Sequence, residues 1–287
     1  MKKLIYLFVS MLTVTSFCHS GYAEQVVTDG LVSYWTFDRQ DIADNTVKDV
    51  WGKNDATIVG DPRVIAGRMK DALEFDGLDD YVNLTNLGDF GNQMGSATFE
   101  AWIKPSFKKG NMTLFRVIDA DCMGWGLEFS VTMEPVTILD NVVIEDIIFS
   151  YTRYRTGKGS CRSTISAKSV RILDGKWHHI VYGYEPYVDA AGGERSRKMI
   201  HIDGRRYRFG KPLVSGAIFV PFTVPVYLGA KNNRGSAEDF FHGIIDEVRI
   251  YNRPLTYDEV RQNFEIGLDV EPVQKLPTVW GALKTRL

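Results

Sequence analysis

Apolar and aromatic residues recur at alternate positions in short runs along most of this chain, the period of a half-buried β-strand. The runs are Leu31 to Phe37, Ala72 to Phe75, Tyr81 to Leu84, Thr98 to Ile103, Met112 to Ile118, Gly126 to Thr132, Ile147 to Tyr154, Ser169 to Ile172, Trp177 to Tyr184, Met199 to Ile202, Val226 to Leu228 and Gly243 to Tyr251. Asp-Gly turns at Asp76-Gly77, Asp174-Gly175 and Asp203-Gly204 punctuate them. Short strands at that spacing predict an all-β sandwich or barrel, and no helices alternate with them as a parallel α/β sheet requires. Two segments break the pattern. Tyr187 to Lys198 is polar and glycine-rich, and predicts a mobile loop. Thr256 to Phe264 opens with a capping Thr, carries Asp258 and Glu259 in its first turn, and sets Val260 and Phe264 four apart, which predicts a short C-terminal helix.

The first residues follow a different rule. Lys2 and Lys3 precede an apolar run from Leu4 to Phe17, and Gly21-Tyr22-Ala23 offers small residues at a cleavage site. That is the order of a secretory signal peptide. The apolar run falls short of the ~20 residues a membrane span needs. Phe17 is too bulky for the position before a lipidated Cys18. The expected organisation is a signal peptide over 1–23, one β domain over 24–267, and a proline-broken tail over 268–287 read as flexible or as a tether. The expected address is secreted, periplasmic or cell-surface, with no transmembrane segment after cleavage. In that setting Cys122 and Cys161 favour a disulfide, with two free thiols as the alternative. A net charge of −2 gives no long-range field for nucleic acid.

Three blocks then stand in a recognisable order. The first is Gly30-Leu31-Val32 with Tyr34 to Asp38. The second is Leu73 to Val82 followed by Phe99 to Pro105. The third is Asp174 to Val181 with Ile202-Asp203-Gly204, closed by Gly243 to Leu255. Together they resemble the laminin-G-like domains of the concanavalin-A-like lectin/glucanase superfamily. The resemblance implies a two-sheet antiparallel jelly-roll sandwich with one concave sheet. Within it, Phe99, Ala101 and Ile103 share one strand parity and are expected to face the opposite sheet, with Glu100 and Trp102 on the other parity. Trp35, Trp102 and Trp177 are expected to pack rather than to bind. The run Ile244 to Val248 keeps a regular alternation only with a twist or bulge.

Glucanases of the superfamily set two acids on alternate strand positions facing one cleft. Here Asp246-Glu247 and Asp79-Asp80 are adjacent, so in a strand their side chains diverge. His178-His179 diverge likewise. No nucleophile elbow, zincin motif or phosphate loop occurs. No catalytic residue is expected, and the chain reads as not an enzyme.

Members of the superfamily often hold structural calcium at loop edges through oxygen ligands. Asp38, Asp49 and Asp246 are the expected ligands, with the loop edge at Asp79 and Asp80 as a second region. The pentraxins are also similar through Asp80 to Leu84, but the positions of their two-calcium site hold Gly124-Trp125 and Lys231-Asn232-Asn233. A sugar site needs an exposed aromatic and a few polar partners. Trp125, Tyr151, Arg153, Tyr154, Asn232 and Arg234 are the candidates, on a concave face or rim. The functional expectation is a secreted carbohydrate-binding module whose partner is a glycan. A protein-interaction or cell-surface scaffold domain that binds an extracellular protein is the alternative.

Overall fold

The structure is a computed structural model that describes residues 26–84, 98–106, 110–118, 124–131, 136–138, 141–143, 147–155, 161–169, 172–188, 190–208 and 225–268. The expected signal peptide, Cys122 and the tail beyond 268 lie outside the described residues. Among the described residues no helix is long and apolar enough to cross a membrane.

The chain enters through β1 (Leu31–Trp35). A small hairpin, β2 (Ile42–Ala43) and β3 (Thr46–Val47), leads to β4 (Ala56–Val59). Close turns then join β5 (Arg63–Ala66), β6 (Asp71–Asp76) and β7 (Tyr81–Leu84). The middle of the chain holds β8 (Thr98–Pro105), β9 (Gly110–Ile118), β10 (Gly124–Val131), β11 (Val136–Ile138), β12 (Asn141–Val143), β13 (Ile147–Arg155) and β14 (Cys161–Ser169). A long hairpin, β15 (His178–Val188) and β16 (Glu194–Ile202), precedes β17 (Arg205–Arg208). The last elements are β18 (Val226–Leu228), β19 (Lys231–Asn233), β20 (Ser236–Glu238), β21 (His242–Tyr251) and α1 (Tyr257–Leu268).

One sheet runs β17-β16-β15-β8-β21-β6-β5, with β1 also on β21. The other runs β14-β13-β10-β9-β18-β7-β4-β3-β2, with β19 and β20 off β9. Nearly every pairing is antiparallel; β19 on β9 is parallel. The two sheets close on one apolar core. Phe99, Ala101, Ile103, Ile245, Val248 and Ile250 come from the first sheet, and Val82, Met112, Phe115 and Leu228 from the second. Phe99 and Phe115 meet across the layers with ring centroids 4.1 Å apart.

The outer face of the first sheet is covered, so the other parity is buried as well. Trp102 stacks on Phe264 of α1 at 5.6 Å. Glu100 lies fully buried there, held by His179 Nε2 at 2.9 Å, Arg249 Nη1 at 3.0 Å and Asn263 Nδ2 at 2.8 Å. Asn263 also accepts the Val27 N–H at 2.9 Å, which ties the incoming chain to the helix. Arg249 further pairs with Glu247, and its Nη2 donates to the Tyr34 hydroxyl oxygen at 2.9 Å. A buried arginine is tolerated here because each charge has a hydrogen-bonded partner. Thr256 and Glu259 cap α1 reciprocally: the Thr256 N–H donates to Glu259 Oε2 at 2.8 Å and the Glu259 N–H to Thr256 Oγ1 at 3.3 Å.

The parity of β21 is resolved by a bulge. Ile245 pairs with Ile103 and Asp246 with Trp102, then the register jumps to Arg249 against Glu100. Glu247 sits at φ +55° in that jump. Asp246, Glu247 and Arg249 can therefore all leave the core side while Ile245, Val248 and Ile250 stay on it.

Three sequence expectations are corrected. Most of Tyr187 to Lys198 is strand, since Tyr187 pairs with Arg195 and Val188 with Glu194 around a short turn; polar residues suit the end of a hairpin that leaves the core. Of the strand expected at Ser169 to Ile172, Ser169 closes β14, Ile172 is not strand, and residues 170–171 lie outside the described residues. The helix continues past Phe264 to Leu268, because Phe264 and Gly267 pack on Trp102.

Candidate functional site

Turns gather at one end of the sandwich. The β4–β5 turn, the β6–β7 turn and the start of β21 frame an open cleft of about 320 Å³ lined by Asp61, Arg63, Glu74, Phe75, Asp76, Asp80 and His242. That is the small end of the usual range for ligand sites. Asp80 builds it. The residue is 1% exposed; its Oδ1 accepts the Asp61 N–H at 2.9 Å and its Oδ2 the Asp76 N–H at 3.0 Å. One carboxylate thus fixes both turns. Burial pushes its pKa up, and the two N–H donors oppose that shift. Gly60 makes the approach feasible: its φ is +87°, and a Cβ there would lie 2.4 Å from Asp80 Oδ1. On the outer wall Arg63 and Glu74 are cross-strand partners, ion-paired at 2.5 Å. Asp76 Oδ1 accepts the Leu78 N–H at 2.7 Å.

Aromatic residues next to the cleft residues in sequence form a ring cluster. Tyr81 follows Asp80, and its ring lies 4.5 Å from Tyr227 and 6.4 Å from Phe240. Tyr81 and Phe240 are half-buried. Burial raises the Tyr81 pKa, with Tyr227 adding to it, so the hydroxyl stays a neutral donor and acceptor. Asn83, two residues along β7, has a buried Oδ1 without a hydrogen-bond partner. Acceptors, a guanidinium and an imidazole meet in the cleft, a combination that suits a polyhydroxylated ligand.

The same corner carries the one carboxylate group among the described residues with metal-ligand spacing. Asp61, Asp79 and Asp80 each place an oxygen within 4.8 Å of the others. Three hard oxygen donors fit calcium. The set expected from the sequence does not come together. Asp38 Oδ2 is taken by the Lys70 ammonium at 2.8 Å, a cation the chain supplies itself. Asp49 gives Oδ1 to the N–H groups of Tyr34, Trp51 and Gly52 and Oδ2 to that of Asn54. Asp246 Oδ2 accepts the Arg68 and Met69 N–H groups at 2.7 and 2.9 Å. Burial, then the Glu247 charge, pushes its pKa up to about 8.

The expected sugar residues fall on the opposite half of the second sheet. Trp125 pairs with Thr152, Gly126 with Tyr151 and Gly124 with Arg153. Trp125 therefore has the parity of Tyr154, while Tyr151 and Arg153 have the other, so the four do not share one face. Asn232 reaches the same row through Val117, but it is fully buried. Its Nδ2 donates to the Pro225 carbonyl at 2.6 Å and its Oδ1 accepts the Gly235 N–H at 2.7 Å. Arg234 is exposed at the β19–β20 turn with φ +55°. Cys161 opens β14. His178 and His179 diverge: His178 lies between Asp203 at 2.8 Å and Asp174 at 3.0 Å, and His179 turns to Glu100. Against the cost of burial, Asp203 and Asp174 raise the His178 pKa.

Sequence reading missed Asp61, Arg63, Glu74, Asp76, Tyr227, Phe240 and His242. The run Asp76 to Tyr81 was a visible signal, since acids in a turn flanked by strands mark a rim. The residues facing it arrive from β5 and β21, which only the pairing reveals.

A search of the curated proteins returns no match. Among solved structures, domain 4 of AbnA, a GH43 extracellular arabinanase from Geobacillus stearothermophilus in complex with arabinotriose, is similar at TM-score 0.50 and 19% identity. The match covers 81% of this chain and 97% of that one. The binding domain of Paraclostridial Mosquitocidal Protein 1 is similar at 0.54 and 15%, over 82% of this chain and 52% of that one. A botulinum neurotoxin type C structure, from work on its cell entry through two ganglioside molecules, is similar at 0.53 and 15%, over 83% and 51%. This chain spans nearly all of the arabinanase domain and about half of each toxin chain. These likenesses are of fold. A laminin-G-type family model matches residues 75–261, well over half of the sequence, and with the two-sheet antiparallel sandwich it places this chain in the concanavalin A-like lectin/glucanases superfamily.

Proposed function

We propose that this protein is a non-catalytic carbohydrate-binding module, exported from the cell, whose ligand sits in the cleft between Asp61, Arg63, Glu74, Asp76, Asp80 and His242. The observation that carries the reading is that polar cleft, with its carboxylates, guanidinium and imidazole, between turns that lead directly into the Tyr81–Tyr227–Phe240 ring cluster. Ring C–H groups of a sugar pack on aromatic faces, and its hydroxyls pair with carboxylates, imidazole and guanidinium. The arabinanase domain in complex with arabinotriose and the neurotoxin whose cell entry depends on two ganglioside molecules fit the same reading.

The cleft acids are committed to structure. Asp80 holds two turns, Asp76 holds the Leu78 N–H, and Glu74 is paired with Arg63. None of the three is left as a free nucleophile facing a poised acid, which is why we read the site as binding without hydrolysis. Asp61, Asp79 and Asp80 would hold a calcium ion at its edge, and a bound ion would supply a Lewis-acidic contact for vicinal hydroxyls.

A glycan-array screen of the protein, run with calcium and again with EDTA, tests this. Binding to a defined glycan class is expected, weakened by EDTA and by Tyr81→Ala. Silence across a broad array refutes the carbohydrate reading and favours a protein partner on the same fold. Turnover of a bound oligosaccharide refutes the non-catalytic part.

A further inference from the structure

A second aromatic feature lies far from the cleft. Trp51, in the loop between β3 and β4, is 51% exposed. Tryptophan carries the largest apolar surface of any side chain and is strongly buried on average. This one is held outward by a rigid loop. The four N–H groups that converge on the Asp49 carboxylate fix the backbone at distances of 2.8 to 3.1 Å. The Asp49 N–H donates to Asp55 Oδ1 at 2.9 Å, and the Val50 N–H to the Tyr34 carbonyl at 2.9 Å. Gly52 presses against β1 so closely that a Cβ would lie 2.4 Å from the Val32 carbonyl oxygen. The indole is pinned too, because Nε1 donates to the Leu31 carbonyl at 2.9 Å. Its single polar atom is satisfied internally, and the ring carbons are what remains for solvent. Lys53 and Asp55, both exposed, flank it.

We propose that Trp51 is a second saccharide contact, a stacking platform for one sugar ring, separate from the cleft. The proposal rests on the carbohydrate reading above. The apolar patch is one indole and the neighbouring Val50, 38% exposed, far below the ~800 Å² per partner that a stable protein interface buries. It matches the face of a single ring. The preset loop and ring spare the ligand the ordering cost that a mobile Trp would impose.

Position defines the ligand further. Leu31, which accepts the Trp51 indole N–H, pairs with Tyr251 at one end of β21, and the cleft residue His242 is at the other end. At ~3.3 Å per residue, β21 separates the two contacts by roughly 25–30 Å. No one sugar ring reaches both. A polysaccharide can, and engaging two weak contacts on one chain raises its apparent affinity without changing either contact.

The test uses the full chain as wild type, Trp51→Ala and Trp51→Phe, each checked first by melting temperature. Affinity electrophoresis in arabinan, xylan, mannan and mixed-linkage β-glucan selects the polymer probe, and its trisaccharide is the short probe. The expected result is that Trp51→Ala weakens retention by the polymer about tenfold, as truncating a Trp anchor does, while trisaccharide affinity stays within about twofold of wild type. Trp51→Phe keeps most of the polymer affinity. If the wild type is retained and Trp51→Ala is retained equally, Trp51 is not a sugar contact and the cleft reading stands. If Trp51→Ala loses the trisaccharide as well, two separate contacts are refuted. If no polymer retains the wild type, the carbohydrate reading itself fails.

Discussion

Replacing Arg249 by Met should destabilise this protein more than almost any other single side-chain change on the outer face of the first sheet. Arg249 is 1% exposed, and its guanidinium serves Glu100, Glu247 and the Tyr34 hydroxyl while lying 4.3 Å over the Tyr34 ring. Met fills much of the volume but leaves two buried carboxylates without their cation. Glu100 keeps His179 and Asn263, so most of the loss falls on Glu247, which keeps only the Tyr34 hydroxyl. Removing one partner of a buried ion pair costs about 3–5 kcal/mol. Typical domains have ~5–15 kcal/mol in all. At about 2–4 °C per kcal/mol for a domain of this size, the melting temperature should fall by roughly 6–20 °C. Urea unfolding followed by tryptophan fluorescence measures the free energy. Adding Glu247→Gln to Arg249→Met should recover part of the loss, because the unpaired charge is then gone. Acidification should narrow the gap as well, since burial already raises the Glu247 pKa and removing Arg249 raises it further. A loss below about 1 kcal/mol for Arg249→Met, or no recovery in the double variant, would refute this account of the network.

Asp246 gives a pH dependence of known sign. Its folded pKa of about 8 lies above that of an unfolded carboxyl. The folded state therefore holds a proton that the unfolded state releases, and stability should fall as pH rises from the ordinary carboxylate range to about 8. Thermal melts of Asp246→Asn should lose that slope. Thr256→Ala removes half of the helix cap and should cost about 1 kcal/mol, read by urea unfolding. Glu259 contributes in the opposite direction. Arg253 first, then the Thr256 donors, hold its pKa down to about 2 against the cost of burial. Its contribution is present above the unfolded value and is lost as pH falls towards 2, so Glu259→Gln should flatten the acid limb of the melting profile.

Fold and site differ in how far they could be read from the residues. Alternation located β7 and β18 end to end and most long strands within a few residues, because their faces contrast sharply in polarity. It could not find β5 or β17, which are short and edge-placed, β17 being rich in arginine as well. The bulge at Asp246-Glu247 was signalled by two adjacent acids in an apolar run, but its direction depended on Arg249 and Glu100 meeting across β8. Alternation set Glu100 and Trp102 on the parity away from the opposite sheet, but what covers that face was not legible locally, since the cover comes from α1 over 150 residues later. The calcium expectation missed Lys70, whose ammonium reaches Asp38 from a turn 32 positions away, and Asp246 lies within β21 rather than in a loop. Cleft residues come from four separate segments, so no local pattern could have grouped them.

The most direct test of the central claim is hydrogen–deuterium exchange of the protein with and without the glycan selected on the array. Bound glycan in the proposed cleft should slow exchange at the turns carrying Asp61 to Arg63 and Asp76 to Tyr81 and at Phe240 to His242. Protection confined to β10, β13 and β14, with those turns unchanged, would contradict it and move the binding site to the other half of the second sheet.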